Sequence, residues 1–176
     1  EGMVISDLHP ASSFVAAGFK VGDVITVVDG QVVNSPSEMA FRMSVAGMGS
    51  NAQISRLRGT ELQVLEVEMM TAPNIPPAQP MQLNKTSVLP GLTVARINPL
   101  VIIRLGLPLS AEGVVITDPG QYGARAGLRP GDVLQTINGN AVAETSDVPE
   151  LLTDPGRRLN MDLLRGGQKL NLRFRL

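Results

Sequence analysis

Ala17-Gly18-Phe19-Lys20-Val21-Gly22-Asp23-Val24-Ile25 and Ala126-Gly127-Leu128-Arg129-Pro130-Gly131-Asp132-Val133-Leu134 follow one pattern, and that repetition decides the fold. An Asx-Gly pair follows each at the same spacing, Asp29-Gly30 and Asn138-Gly139, and a matching Leu-Arg-Gly comes later, Leu57-Arg58-Gly59 and Leu164-Arg165-Gly166. Repeats are read first because missing one mis-assigns the whole fold. These copies lie too far apart for a solenoid, whose period is about 20–50 residues. They predict two small domains of the same kind, 1–72 and 87–176, joined by a segment over 73–86.

Around each copy the signals run in the same order. Met3-Val4-Ile5-Ser6-Asp7-Leu8 and Gly113-Val114-Val115-Ile116-Thr117-Asp118 read as buried strands. Each ends in a proline turn, His9-Pro10 or Pro119-Gly120, and a short stretch of small residues then predicts one or two helical turns. Gly18 and Gly127 stop those turns, because glycine takes the left-handed position after a helix without a Cβ clash. Strands are predicted at 24–28 and 133–137, ending in Asx-Gly dipeptides that favour positive φ.

A longer helix follows in each copy. Ser35-Pro36-Ser37-Glu38 is a capping box with proline at the first helical position. Phe41, Val45 and Met48 recur on one side of that helix, and Met39, Met43 and Ala46 on another. In the second copy Ser146 is the expected cap, Val148, Leu151 and Leu152 supply the apolar side, and Asp154-Pro155-Gly156 ends the helix early. Leu159, Met161 and Leu163 alternate, turn at Arg165-Gly166-Gly167, and are answered by Leu170, Leu172, Phe174 and Leu176, which marks a half-buried hairpin.

The 176 residues carry a net charge of −1, which invites neither nucleic acid nor an anionic membrane. The charge is uneven: residues 1–72 hold 4 basic and 8 acidic side chains, and residues 73–176 hold 11 and 8. With no cysteine, disulfides, thiolate nucleophiles and cysteine zinc sites are excluded. No apolar run approaches the ~18 residues that span a bilayer. The chain opens at Glu1-Gly2 on a strand-like run without an initiating methionine and reads as a piece of a longer protein.

Between the copies, prolines at 73, 76, 77, 80 and 90 predict a stiff, extended spacer. Gly91-Leu92-Thr93-Val94-Ala95-Arg96 then reads as a strand, and Pro99 to Leu107 as a short helix starting at Pro99. Neither has a counterpart in the first copy.

Strand, small helix, Ala-Gly-Φ-x-x-Gly-Asp-Val-Φ, strand, Asx-Gly, helix and hairpin, twice over, resembles the bacterial PDZ domain. The tandem resembles the C-terminal region of HtrA/Do-type serine proteases, and Leu105-Gly106-Leu107-Pro108-Leu109 ahead of Glu112-Gly113-Val114 is similar to the second PDZ domain there. PDZ pairs of site-2 membrane metalloproteases, or an assembly module contacting neighbouring subunits, are the alternatives. The resemblance implies an α+β fold: two PDZ-like domains, each a small, partly open antiparallel β-barrel or sandwich capped by two helices. It also implies how such a domain binds. A peptide's C-terminal end adds as a strand to a sheet edge beside a helix. Its carboxylate rests in a nest of backbone N–H groups from an x-Φ-Gly-Φ loop.

Here that loop is Leu89-Pro90-Gly91-Leu92, leading into Thr93, Val94 and Ala95; the facing helix carries Val148, Leu151 and Leu152. Pro90 has no N–H to offer, so the second groove is expected to bind carboxylates weakly. In the first copy Met39 and Met43 are the corresponding helix residues, and methionine suits a promiscuous groove. With only Glu1 before Gly2, the binding strand of that copy is expected to be missing.

The family's Ser-His-Asp triad has no counterpart in these residues. His9 is the single histidine and reads as a surface-turn residue beside Pro10. Gly47-Met48-Gly49-Ser50 lacks the strand-then-helix context of a nucleotide loop. No catalytic residue, metal or other cofactor is expected in this chain. The resemblance implies a periplasmic location, C-terminal or unfolded polypeptide segments as partners, a protease domain in the full-length protein, and a homo-oligomeric parent.

Overall fold

The computed structural model describes residues 2–175, without the side chain of Ala46. Readings that fall on Glu1, the Ala46 side chain and Leu176 lie outside the described residues. The chain divides into two compact units, Glu1–Ala72 and Pro73–Leu176.

In the first unit come β1 (Met3–Val4), α1 (Ser13–Ala16), β2 (Val24–Val28), β3 (Gln31–Val32), α2 (Pro36–Ala46), β4 (Asn51–Arg58) and β5 (Glu61–Glu68). The strands form an open antiparallel sheet in the order β1-β2-β4-β5, with β3 paired to β2. The Asp29-Gly30 turn takes φ of 48° and 76°. Positive φ at both positions is what a two-residue hairpin turn needs to match strand twist. Ser35 caps α2 by accepting from the Glu38 N–H at 3.2 Å, and Glu38 reaches back to the Asn34 N–H at 2.8 Å. Ile5, Phe19, Ile25, Val28, Val33, Ile54 and Val67 form the core, with Phe14 edge-on to Phe19.

The second unit holds β6 (Met81–Gln82), β7 (Thr93–Arg96), α3 (Pro99–Leu105), β8 (Val114–Asp118), α4 (Gly120–Arg125), β9 (Val133–Ile137), β10 (Asn140–Ala141), α5 (Asp147–Leu151), β11 (Arg158–Arg165) and β12 (Gln168–Arg175). Its sheet runs β12-β11-β9-β8-β7-β6, with β10 paired to β9, and it too is open. Alternation along the strands builds two apolar layers. One holds Leu92, Val94, Ile116, Leu134, Ile137, Val148, Leu152 and Met161. The other lies where α3 packs, with Ile97, Val101, Ile102, Val115 and Val133.

The repeated motif has a physical purpose that the two units share. Asp132 is wholly buried and takes a forked pair of bonds from Arg165, Nε to Oδ1 at 2.7 Å and an amino group to Oδ2 at 2.8 Å. The same amino group donates to the Gly127 carbonyl at 2.7 Å, and the Arg129 N–H donates to Asp132 at 2.8 Å. In the first unit Arg58, Asp23, Gly18 and Lys20 repeat the arrangement at 2.7, 2.9, 3.0 and 2.8 Å. The Gly-Asp of one motif and the Arg of the later Leu-Arg-Gly are therefore two halves of one clamp. The forked match of guanidinium and carboxylate is the strong form of such a pair. The hydrogen bond from Arg58 holds the Asp23 carboxyl below the usual carboxylate range, against the opposing effect of burial.

Two local expectations give way. Ser146 makes no side-chain cap on α5. Asp147 instead accepts the N–H groups of Ala143 and Glu144, both at 2.8 Å, and those bonds lower its pKa. The second difference is larger. The proline-rich stretch 73–86, whose composition predicts a stiff, extended spacer between the domains, lies along the second unit. Asn98 Nδ2 donates to Asn74 Oδ1 at 2.6 Å and to the Pro76 carbonyl at 2.7 Å, the Arg96 N–H donates to the Ala78 carbonyl at 2.7 Å, and Leu83 is buried. Proline density specifies an extended backbone. An extended backbone is also what an open sheet edge accepts, and composition alone does not separate the two.

Candidate peptide-binding groove

The site is built where β7 leaves the loop Leu89-Pro90-Gly91-Leu92. Gly91 holds φ at 81°, in the region that favours glycine, at the turn from the loop into the strand. Thr93 Oγ1 donates back to the Gly91 carbonyl at 3.3 Å, and Thr117 Oγ1 donates to the Thr93 carbonyl at 3.2 Å, which fixes the strand's entry. One edge of β7 is paired with β8, Val94 opposite Ile116 and Ala95 opposite Val115. The other edge is paired with β6.

The sequence-identified residues fall as follows. Leu89, Leu92, Val94, Val148 and Leu152 are buried in a single cluster, and Leu151 is half-buried against it. Loop, strand and helix thus converge. Ala95 is buried but points to the opposite face, as strand alternation requires, and its backbone lies on the side paired with β8, so neither its side chain nor its amide faces the candidate groove. Met39 and Met43 of α2 pack against the first unit's core. Met43 also lines a cleft of about 340 Å³ with Ser13, Met48 and Met69. Phe41, Val45 and Met48, on the helix's other side, are exposed.

The loop's donors are engaged. The Leu89 N–H donates to Ser87 Oγ at 3.3 Å, the Leu92 N–H to the Leu89 carbonyl at 3.2 Å, and the Gly91 N–H to the Leu83 carbonyl at 3.1 Å. Pro90 has none.

Sequence reasoning missed the segment that meets this edge. β6 runs antiparallel to β7, Met81 opposite Val94 and Gln82 opposite Thr93. Leu83 continues the pairing by donating its N–H to the Leu92 carbonyl at 2.8 Å, and its side chain joins the buried cluster. The signal was present in Met81-Gln82-Leu83, an apolar-polar-apolar alternation directly after Pro80, but the surrounding prolines masked it.

Among the described residues no group of histidine, aspartate and glutamate side chains could hold a metal ion. Among the same residues no helix is long and apolar enough to cross a membrane.

Comparison with known proteins follows the same division. Two PDZ domain models match, one over residues 1–69 and one over 117–165. The chain is 24% identical over 174 residues to a probable periplasmic serine protease do/HhoA-like of Haemophilus influenzae, covering 98% of this chain and 35% of that protein. It is 25% identical over 174 residues to the periplasmic pH-dependent serine endoprotease DegQ of Escherichia coli, covering 99% of this chain and 36% of that one. The chain therefore spans about a third of the length of these relatives. A solved structure of the HtrA-type protease AlgW with decapeptide aligns over 87% of this chain and 54% of its own, with a TM-score of 0.45 and 19% identity. The chain belongs to the PDZ family as a tandem of two PDZ domains, homologous to the PDZ region of the HtrA/DegP proteases rather than to their catalytic part.

Proposed function

We propose that this chain is the substrate-recognition and regulatory part of an HtrA/Do-like periplasmic serine endopeptidase, and that it binds C-terminal or unfolded polypeptide segments by strand addition. The observation that carries the reading is the convergence of three elements in the second unit. The Leu89–Leu92 loop, the β7 edge and the helix bearing Val148, Leu151 and Leu152 make a groove with an apolar floor and a line of backbone partners. Main-chain bonds along β7 supply affinity, and alternate side chains of the peptide fill the apolar positions. Leu89, Gly91, Leu92, Thr93 and Val94 form one wall, with Ala95 behind it on the β8 side, and the helix residues form the other; Met39 and Met43 hold the corresponding helix in the first unit. A protease domain elsewhere in the full-length protein performs the hydrolysis, and that protein assembles as a homo-oligomer in the periplasm. The names of the relatives favour a serine protease over the metalloprotease reading.

The test is a titration of fluorescent, extended peptides with apolar residues at alternate positions into the full chain, with binding mapped by amide shifts. Shifts centred on Thr93–Arg96 and α5 support the reading. Peptides that bind only elsewhere, or not at all after the β7 edge has been cleared, refute it.

A further inference from the structure

We infer that the second groove already holds a ligand, and that the ligand is the chain's own Met81-Gln82-Leu83. The inference rests on the peptide-binding reading above. In strand addition a peptide lies antiparallel on the free edge of the binding strand, with its last residue at the loop. β6 has that direction and that edge. Leu83 occupies the last-residue position: its N–H bonds the Leu92 carbonyl, its carbonyl takes the Gly91 N–H, and its side chain is 5% exposed in the cluster with Leu89, Leu92, Val148 and Leu152. Met81, two residues earlier, is half-buried against the same cluster, while Gln82 between them is exposed. The Ala78 carbonyl extends the pairing to Arg96, and Asn98 anchors the far end through Asn74 and Pro76.

Two consequences for ligand chemistry follow. The groove takes extended segments with methionine or leucine at alternate positions, since that is what it holds. It also takes them from the interior of a chain, because the loop receives an amide carbonyl from Leu83 and the chain continues at Asn84. A cleft of about 340 Å³ remains between this strap and the end of α5, lined by Met81, Leu83, Pro149, Leu152 and Thr153. An incoming peptide has to displace the strap from β7 to bind.

The experiment uses the full chain and two probes with the strap's own sequence, acetyl-Ala-Gln-Pro-Met-Gln-Leu-amide and the same peptide as a free acid. Leu83→Ser weakens the strap by emptying its buried position, and the peptide is expected to bind this variant at least tenfold more tightly than the parent. Met81→Glu keeps every fully buried residue of the cluster, replaces only a half-buried contact at its margin, and is expected to act in the same direction; it is the variant read if Leu83→Ser does not fold. On the unaltered chain, saturating peptide is expected to speed hydrogen exchange at the Leu83 amide while the Thr93–Arg96 amides stay protected. Equal affinity for parent and variants, with the Leu83 amide still protected, overturns the inference and leaves peptide binding standing. Release of the Leu83 amide in a variant that still binds neither peptide refutes the peptide-binding reading instead.

Discussion

Replacing Arg165 by methionine and Asp132 by alanine should cost unequal amounts, and the inequality follows from which partner is out of water. Asp132 is fully buried, whereas the Arg165 side chain is 31% exposed. Arg165→Met keeps the aliphatic stem, removes both charge-assisted bonds, and strands a buried carboxylate with one N–H donor, that of Arg129. Breaking a buried pair from that side costs about 3–5 kcal/mol. Asp132→Ala leaves an arginine that turns into solvent, so the loss is confined to the hydrogen bonds, about 2–3 kcal/mol. The double variant removes the stranded charge and should cost little more than Asp132→Ala alone, far below the sum of the singles. Tyr122 is the only tyrosine and there is no tryptophan, so tyrosine emission reports the second unit selectively during urea unfolding of the whole chain. A small domain has only about 5 kcal/mol to lose, so Arg165→Met should show an early, nearly complete transition. If Asp132→Ala proves the costlier change, or if the two add, the clamp is not a buried-charge device and the reasoning fails.

Three further outcomes are expected. Asp23 has a folded pKa below its unfolded value of about 3.9, so its stabilisation is fully present above about pH 4 and lost as pH falls through the folded value; Asp23→Asn should flatten that slope, read from the Phe14 and Phe19 ring resonances. Gly120→Ala should destabilise the second unit by at least about 1–2 kcal/mol in a urea titration, because φ is 62° and the new Cβ would sit 2.9 Å from Gly91 C and 3.0 Å from the Pro90 carbonyl; unchanged stability would contradict the described packing of α4 against the loop. Because Pro90 lacks an N–H and the Leu92 amide is held by the Leu89 carbonyl, an incoming peptide finds the Gly91 amide that the strap releases and no second loop donor from these positions; free-acid and amidated apolar peptides should therefore differ by less than tenfold in affinity for the second groove, and a larger preference for the acid would mean that another donor replaces the missing one.

What was legible in the residues was the local chemistry. Asp29-Gly30 and Asn138-Gly139 specify hairpin turns through backbone preference alone, and the strand limits at 24–28 and 133–137 follow from short apolar runs between turn signals. The passage from loop to strand was legible because Gly91 and the alternation after it are consecutive, whereas the meeting of Val148 and Leu152 with Leu92 and Val94 in one cluster was expected only from the family resemblance. The Asp–Arg clamp was not read, although both halves recur in each copy, 35 positions apart in the first and 33 in the second, since nothing local says that residues so far apart meet. The strap was misread for the same reason: edge pairing is set by the partner strand, and proline content describes only the backbone's stiffness. At Ser146 the choice between two adjacent capping residues depended on a loop whose path is tertiary.

The strap's connection to its own binding site sets a concentration scale. Leu83 is separated from the loop at Leu89 by a turn held through Asn84, whose side chain accepts from the Thr86 N–H and hydroxyl. Ligands joined through so short a tether act at an effective concentration on the order of millimolar. A free peptide of equal intrinsic affinity, present at about 1 μM, would then hold roughly one groove in a thousand. A polypeptide that presents several such segments, or is gripped elsewhere on the same protein, raises its own local concentration into the strap's range. The groove is thereby graded to answer crowded, exposed chain rather than a passing segment, and the grading resides in the length of one turn.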